Sequence, residues 1–252
     1  ISHPNKPHNH ILDVVRTIRQ WFDEELIICT WKHEAEKIPI KVNEYIDRVI
    51  FITDPGAGPV QNIKRQMYSF LAGLQQSLGE TLLVTRSDIL FHENIFNHID
   101  KYPNYNSTLR FVDDKIVVGN IMSINPNSNE NPNTYRVSDW FHCGKRNDIE
   151  KLISGFEFIL DSNETKLQQL FSTGKMCTEK LWMLSILHAY FNTDLYDSSD
   201  IDPLCWQFIL NNFIVLNSIS TLNTYNLNYP NQPQNMYCYI TEEEYSRQYN
   251  LL

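Results

Sequence analysis

The sequence predicts an α/β domain: an open, mostly parallel sheet flanked by helices, with a mainly helical C-terminal half. Three observations lead there. ELIICTW (residues 25–31), RVIFITD (48–54) and TLLVT (81–85) are aliphatic runs of strand length. Amphipathic helical patterns precede and separate them, giving the order helix, strand, strand, helix, strand that a helix-covered parallel sheet requires. Beyond residue 146 the period becomes helical, at about 147–160, 163–172, 178–191 and 202–217.

The first helix, about 10–22, carries Ile11, Leu12, Val14, Val15, Ile18, Trp21 and Phe22 at helical spacing. A long second helix follows DPGAGP and runs from Asn62, its expected N-cap, to about Ser77. Its face of Ile63, Met67, Phe70, Leu71, Leu74 and Leu78 should pack on the sheet. Asn62, Arg65, Gln66, Ser69 and Gly73 form a polar stripe beside it. After the third strand, LRFV and KIVVGN, divided by Asp113 and Asp114, read as a short hairpin. INPNSNENPNTY (124–135) and NYPNQPQN (228–235) read as loops, and CYITEEEY as a strand or a helix start. No repeat or linker divides the chain, so 1–252 reads as one domain. A doubly wound sheet ordinarily opens on a strand, yet the first element here is a helix. The opening strand is therefore expected upstream of Ile1, which makes the chain an excerpt of a longer one.

Composition narrows the function. A net charge of −9 provides no basic face for sequence-independent nucleic-acid binding. No apolar run reaches the length of a membrane-spanning helix, and ISHPNKPHNH is not a signal peptide. The five cysteines are scattered without a Cys-x-x-Cys pair, as befits reduced thiols in a cytoplasmic protein. The histidines of HENIFNH are six apart, which is not a zinc-binding helical pair.

Chemistry concentrates at strand ends. The DPGAGP turn, beginning with Asp54, leads into the helix whose Asn62, Arg65 and Gln66 could meet an anionic ligand, since open α/β sheets bind such ligands there. The third strand ends in Arg86-Ser87-Asp88. A structural pair is one reading of those charges. The other makes Asp88 a ligand for Mg²⁺ or Mn²⁺ carrying a diphosphate, with Arg86 beside it. In VSDWF, Ser138 and Asp139 could cap a helix ahead of a core Trp140. Alternatively, Ser138, Trp140 and Phe141 bind a sugar acceptor while Asp139 orients or deprotonates its hydroxyl. Glu179 begins the helix of TEKLW, with Thr178 as its expected cap, and is the second candidate base.

Taken together, IICTW, DPG, NIKRQMYSFLAGL, LVTRSD, VSDWFHCGKRNDI and TEKLW, in that order over residues 25 to about 185, resemble the WavE family of lipopolysaccharide-synthesis proteins. The resemblance implies a GT-A-like, Rossmann-like sheet that binds a nucleotide-sugar donor. It implies an enzyme of surface polysaccharide synthesis, lipopolysaccharide or capsule, that acts on an oligosaccharide or lipid-linked glycan acceptor. Its place would be cytoplasmic, at the inner face of the membrane, with any membrane association made through other parts of the protein. In such enzymes a D-x-D element holds the metal; here Arg86-Ser87-Asp88 stands in its place and leaves one carboxylate. The expected donor contacts are then Asp54, Asn62, Arg65, Gln66 and Arg86, the metal ligand Asp88, and the catalytic groups Asp139, Glu179 and Arg86. The family pattern opens on an apolar strand that ends near Gln-Gly-Pro, which is not found ahead of Ile1. Two alternatives stay open: transfer of an activated sugar-phosphate or polyol-phosphate unit, and a non-catalytic glycan-binding module using Trp31, Trp140, Trp182 and Trp206 as platforms.

Overall fold

The computed structural model describes residues 10–56, 58–120, 123, 136–160, 163–173, 176–193, 204–216, 222–224 and 240–251. The two expected loops at 124–135 and 228–235 lie outside them. The helices are α1 (His10–Trp21), α2 (Pro59–Gln76), α3 (Arg146–Phe156), α4 (Glu164–Ser172), α5 (Thr178–Phe191), α6 (Cys205–Asn212) and α7 (Glu242–Tyr249). The strands are β1 (Ile27–Trp31), β2 (Arg48–Ile52), β3 (Thr81–Thr85), β4 (Ile89–Phe91), β5 (Ile116–Gly119), β6 (Phe141–Lys145), β7 (Phe213–Leu216) and β8 (Leu222–Thr224).

The class is α/β, but the sheet is mixed and divided. β1 and β2 form a parallel pair in register from Ile27 opposite Arg48 to Trp31 opposite Ile52. A second sheet runs β3-β6-β5-β7. Within it β6 is antiparallel to both β3 and β5, while β5 and β7 are parallel. The short pair β4 and β8 is antiparallel.

Alternation along the central strands sorts the core onto two faces. Leu83, Phe141, Cys143, Val117 and Ile214 pack with Val14, Ile18 and Phe22 of α1. Leu82, Val84, Ile116, Val118 and Val215 pack with Ile63, Met67 and Phe70 of α2 and with the C-terminal helices. His142 lies on this second face, stacked on Trp182 at 5.7 Å, and burial pulls its pKa down to about 3.

Several expectations change. α2 starts three residues before Asn62, because Pro59 suits a first helical turn and Gly58, at φ 131°, takes the cap position. Asn62 is instead inside the helix, its N–H on the Gly58 carbonyl at 2.8 Å. Leu78 falls beyond the helix end and is exposed. The hairpin is absent: only 116–119 is a strand, while the backbone N–H groups of Asp113 and Asp114 turn to the Asp148 carboxylate at 2.6 and 3.0 Å. The helix expected over 202–217 stops at Asn212. There Asn211 and Asn212 send their amides to the 108 and 109 carbonyls, and Phe213-Ile-Val-Leu216 continues as the buried strand β7. Of the CYITEEEY segment, residues 238–239 lie outside the described residues, and from 240 on it leads into a helix, with the Thr241 hydroxyl accepting from the Glu244 N–H at 3.1 Å.

Candidate active site

The carboxyl ends of β1, β2 and β3 lie toward the beginning of α2, and their amino ends toward its C-terminus. Arg48, opening β2, reaches the Gln76 carbonyl, and the Arg146 guanidinium ties Gly79, ahead of β3, to Ser77. In the N-terminal half of α2, two consecutive side chains grip carboxylates that flank different strands, Asp54 after β2 and Asp139 ahead of β6. Arg65 donates to Asp54 through Nε at 2.7 Å and Nη2 at 2.5 Å. Gln66 Nε2 donates to Asp139 Oδ2 at 3.0 Å.

The group around Asp54 contains Arg65, Asn62, Trp31, Glu34 and His33. Arg65 bonds hold Asp54 below the usual carboxylate range, and the Arg65 guanidinium lies 5.9 Å from the Trp31 ring centroid. Asn62 Oδ1 accepts from Arg65 Nη1 at 3.3 Å. His33 Nε2 stands 3.8 Å from Asp54 and 3.6 Å from Glu34.

The group around Arg86 is buried. Arg86 sits at the end of β3, its backbone N–H on the Trp140 carbonyl at 3.2 Å. Its side chain holds Asp88 by two bonds, Nε to Oδ1 at 3.1 Å and Nη2 to Oδ2 at 2.9 Å. Nη1 lies 3.8 Å from Asp139 Oδ1, an oxygen that is buried without a hydrogen-bond partner. Burial works against the Arg86 charge, but Asp139 and Asp88 outweigh it and raise its pKa. Glu179, in the first turn of α5, feels the same field. Burial first, and the Asp139 carboxylate second, push it up to about 7. The Cys177 thiol donates to Glu179 and is itself pushed up to about 12, chiefly by burial.

The structure thus brings Gln66, Arg86, Asp88, Asp139 and Glu179 together, with Asn62 and Arg65 beside Gln66 on α2 and Asp54 held there by Arg65. It adds two residues the sequence reading missed. Arg136 acts electrostatically on Glu179 and Cys177, and its Nε is buried without a partner. Cys177 caps α5 in place of Thr178, which is the first helical residue. The only signal for either was spacing: Arg136 stands three residues before Asp139, and Cys177 two before Glu179.

Three expectations do not fit this geometry. Asp88 is 3% exposed and both its oxygens hold Arg86, so its carboxylate is engaged rather than open to Mg²⁺ or Mn²⁺. Among the described residues no group of three or more His, Cys, Asp or Glu side chains has metal-binding geometry. Trp140 and Phe141 are core side chains, 3% and 0% exposed, and offer no face to an acceptor sugar. Ser138 is also buried; its N–H donates to Ser123 Oγ at 2.9 Å and its hydroxyl accepts from the Trp140 N–H at 3.3 Å. Trp31 and Trp182 are likewise buried, which removes three of the four tryptophan platforms.

A family model described as WavE lipopolysaccharide synthesis matches residues 2–223. The chain belongs to the WavE family. That range takes in both carboxylate groups, from Asp54 to Glu179, and the family name ties the chain to lipopolysaccharide synthesis. Neither the curated proteins nor the solved structures compared with the chain gave a match. None of the described helices is long and apolar enough to cross a membrane.

Proposed function

We propose that this WavE protein is a glycosyltransferase that moves a sugar from a nucleotide-sugar donor to a lipopolysaccharide or related surface-glycan acceptor in the cytoplasm, on a GT-A-like sheet. The observation carrying this reading is the convergence of Gln66, Arg86, Asp139 and Glu179 beyond a strand carboxyl end. Buried charge of both signs at a strand end is what transfer from an anionic leaving group needs.

Asp54, Asn62 and Arg65 would contact the donor. Asp139, itself 3% exposed, is the first-choice base: Oδ2 is fixed by Gln66, and Oδ1 lacks a hydrogen-bond donor, which an acceptor hydroxyl admitted by an opening of the crevice would supply. The hydroxyl proton passes to that carboxylate as its oxygen bonds the anomeric carbon. The carbon–oxygen bond to the diphosphate breaks, and its electron pair leaves with the nucleoside diphosphate. Arg86, held by Asp88, opposes the charge that develops. Glu179 is the alternative proton acceptor, limited by a pKa of about 7.

Asp139→Asn keeps an oxygen for Gln66 and removes the base. Transfer from a nucleotide sugar to a lipopolysaccharide-derived acceptor should fall by about 10²–10⁴, with UDP or GDP still raising the unfolding temperature. Undiminished transfer by this variant would overturn the assignment of Asp139. Failure of every nucleotide diphosphate to stabilise the wild-type protein would overturn the donor site.

A further inference from the structure

Three arginines serve the site, and two of them are already matched. Arg65 holds Asp54, and Arg86 holds Asp88, each through two hydrogen bonds. Arg136 differs: its Nε is buried without a hydrogen-bond partner. The two residues that follow it are fixed. Val137 is buried in the core shared with Val60 and Ile63 of α2 and Leu181 of α5, and the Ser138 N–H rests on Ser123 Oγ at 2.9 Å. Arg136 therefore approaches the start of α5 from an anchored segment, and its charge acts there on Cys177 and Glu179. The residue as a whole is only half-buried, which leaves its side chain within reach of a ligand.

The unmet hydrogen bonds point to one kind of ligand. Among the described residues seven buried side-chain atoms lack a partner, and three of them belong here: Gln66 Oε1, Asp139 Oδ1 and Arg136 Nε. Such atoms are uncommon, because burying a polar group without a partner is unfavourable. Two are acceptors that call for hydroxyl donors, and the third is a cationic donor that calls for an anionic oxygen. An amide flip of Gln66 would not relieve the shortage, since it would set the side-chain oxygen against the Asp139 carboxylate. A molecule carrying hydroxyls beside a phosphate, as a nucleotide-linked sugar does, supplies both.

We propose that Arg136 is the phosphate-binding residue of this site: its guanidinium hydrogen-bonds an anionic oxygen of the donor diphosphate and keeps that contact as the diphosphate leaves. The inference rests on the glycosyltransfer reading above and adds a residue to it. A guanidinium presents its N–H groups in a planar fork that suits phosphate oxygens. Arg86 commits Nε and Nη2 to Asp88 and faces Asp139 with Nη1 at 3.8 Å, so it opposes the leaving charge through its field. Arg136 supplies the direct bonds.

Thermal unfolding and titration with UDP, GDP and ADP test it, with Arg136→Gln and Arg136→Lys beside the wild type. At least one of these nucleotides should stabilise the wild type, and Arg136→Gln should bind it on the order of 10–100-fold more weakly. Arg136→Lys keeps the charge without the fork and should fall between the two. Without ligand, Arg136→Gln should unfold at the wild-type temperature or above it, because Arg136 Nε gives up no partner. In transfer assays Arg136→Gln should raise the donor KM and lower kcat, with the acceptor KM unchanged. Equal nucleotide affinity in the wild type and Arg136→Gln, with or without lost stability, would overturn the proposal and leave the donor site standing. So would a change confined to the acceptor KM, which would assign Arg136 to a phosphate on the acceptor. Failure of every one of these nucleotides to stabilise the wild type would overturn the donor reading and this inference together.

Discussion

Arg86 and Asp88, two residues apart, hold each other by paired hydrogen bonds of 3.1 and 2.9 Å in a site where the carboxylate is almost fully buried. Removing one partner of such a pair leaves an uncompensated charge in a low dielectric, at a cost of about 3–5 kcal/mol. Asp88→Ala should therefore lower the urea-unfolding free energy by about that much, as well as abolishing activity. An Asp88→Ala protein of wild-type stability, inactive until Mn²⁺ is raised, would instead restore the metal-ligand role.

Glu179 should impose a pH dependence on stability. Its folded pKa of about 7 lies above its ordinary value of 4.5. The unfolded chain therefore loses this proton first as pH rises. The contribution of Glu179 is full below about 4.5, declines between about 4.5 and 7, and is lost above that range. Glu179→Gln should remove this part of the slope, leaving a protein less sensitive to pH over that window. Urea titrations at several pH values would measure it; an unchanged slope in the variant would refute the burial of Glu179 as described.

Trp140 distinguishes a core role from an acceptor platform. As a side chain 3% exposed, packed with Phe141 and Ile214, it should cost about 3–5 kcal/mol when replaced by alanine. If Trp140→Ala unfolds at nearly the wild-type urea concentration and raises only the acceptor KM, the platform reading returns.

Gly73 lets α2 approach β1. A Cβ there would stand 3.3 Å from Cys29 Sγ, tighter than ordinary contact. Gly73→Val should destabilise by about 1–3 kcal/mol through overpacking. Adding Cys29→Ala should recover part of that loss, and strict additivity in the double-mutant cycle would show that the two residues do not meet.

The legible part of the fold was the part with one dominant signal. The aliphatic runs of β1, β2 and β3, and the helices from α3 to α5, declared themselves through local periodicity. What escaped depended on distant partners. Nothing local shows that Asp148 receives the 113 and 114 amides and so cancels a hairpin, or that Asn211 and Asn212 end α6 by bonding a segment a hundred residues earlier. The site divides the same way. Arg86, Asp139 and Glu179 were readable as charged residues near element ends, and Gln66 as part of the polar stripe of α2. The pairing of Asp88 with Arg86 was not readable, because a carboxylate beside an arginine reads the same in sequence whether it faces solvent or is sealed with its neighbour. Trp140 and Phe141 were misjudged because aromatic residues serve cores and sugars equally well. Arg136 acquires meaning only through the folding of its segment against α5.

The consecutive placement of Arg65 and Gln66 on α2 has a mechanical consequence. Successive residues of a helix diverge by about 100° around its axis, so one helix clasps Asp54, just past the first sheet, and Asp139, just ahead of the second. The helix acts as a gauge block between them. A shift of α2 along its axis would therefore disturb the Arg65–Asp54 and Gln66–Asp139 contacts together.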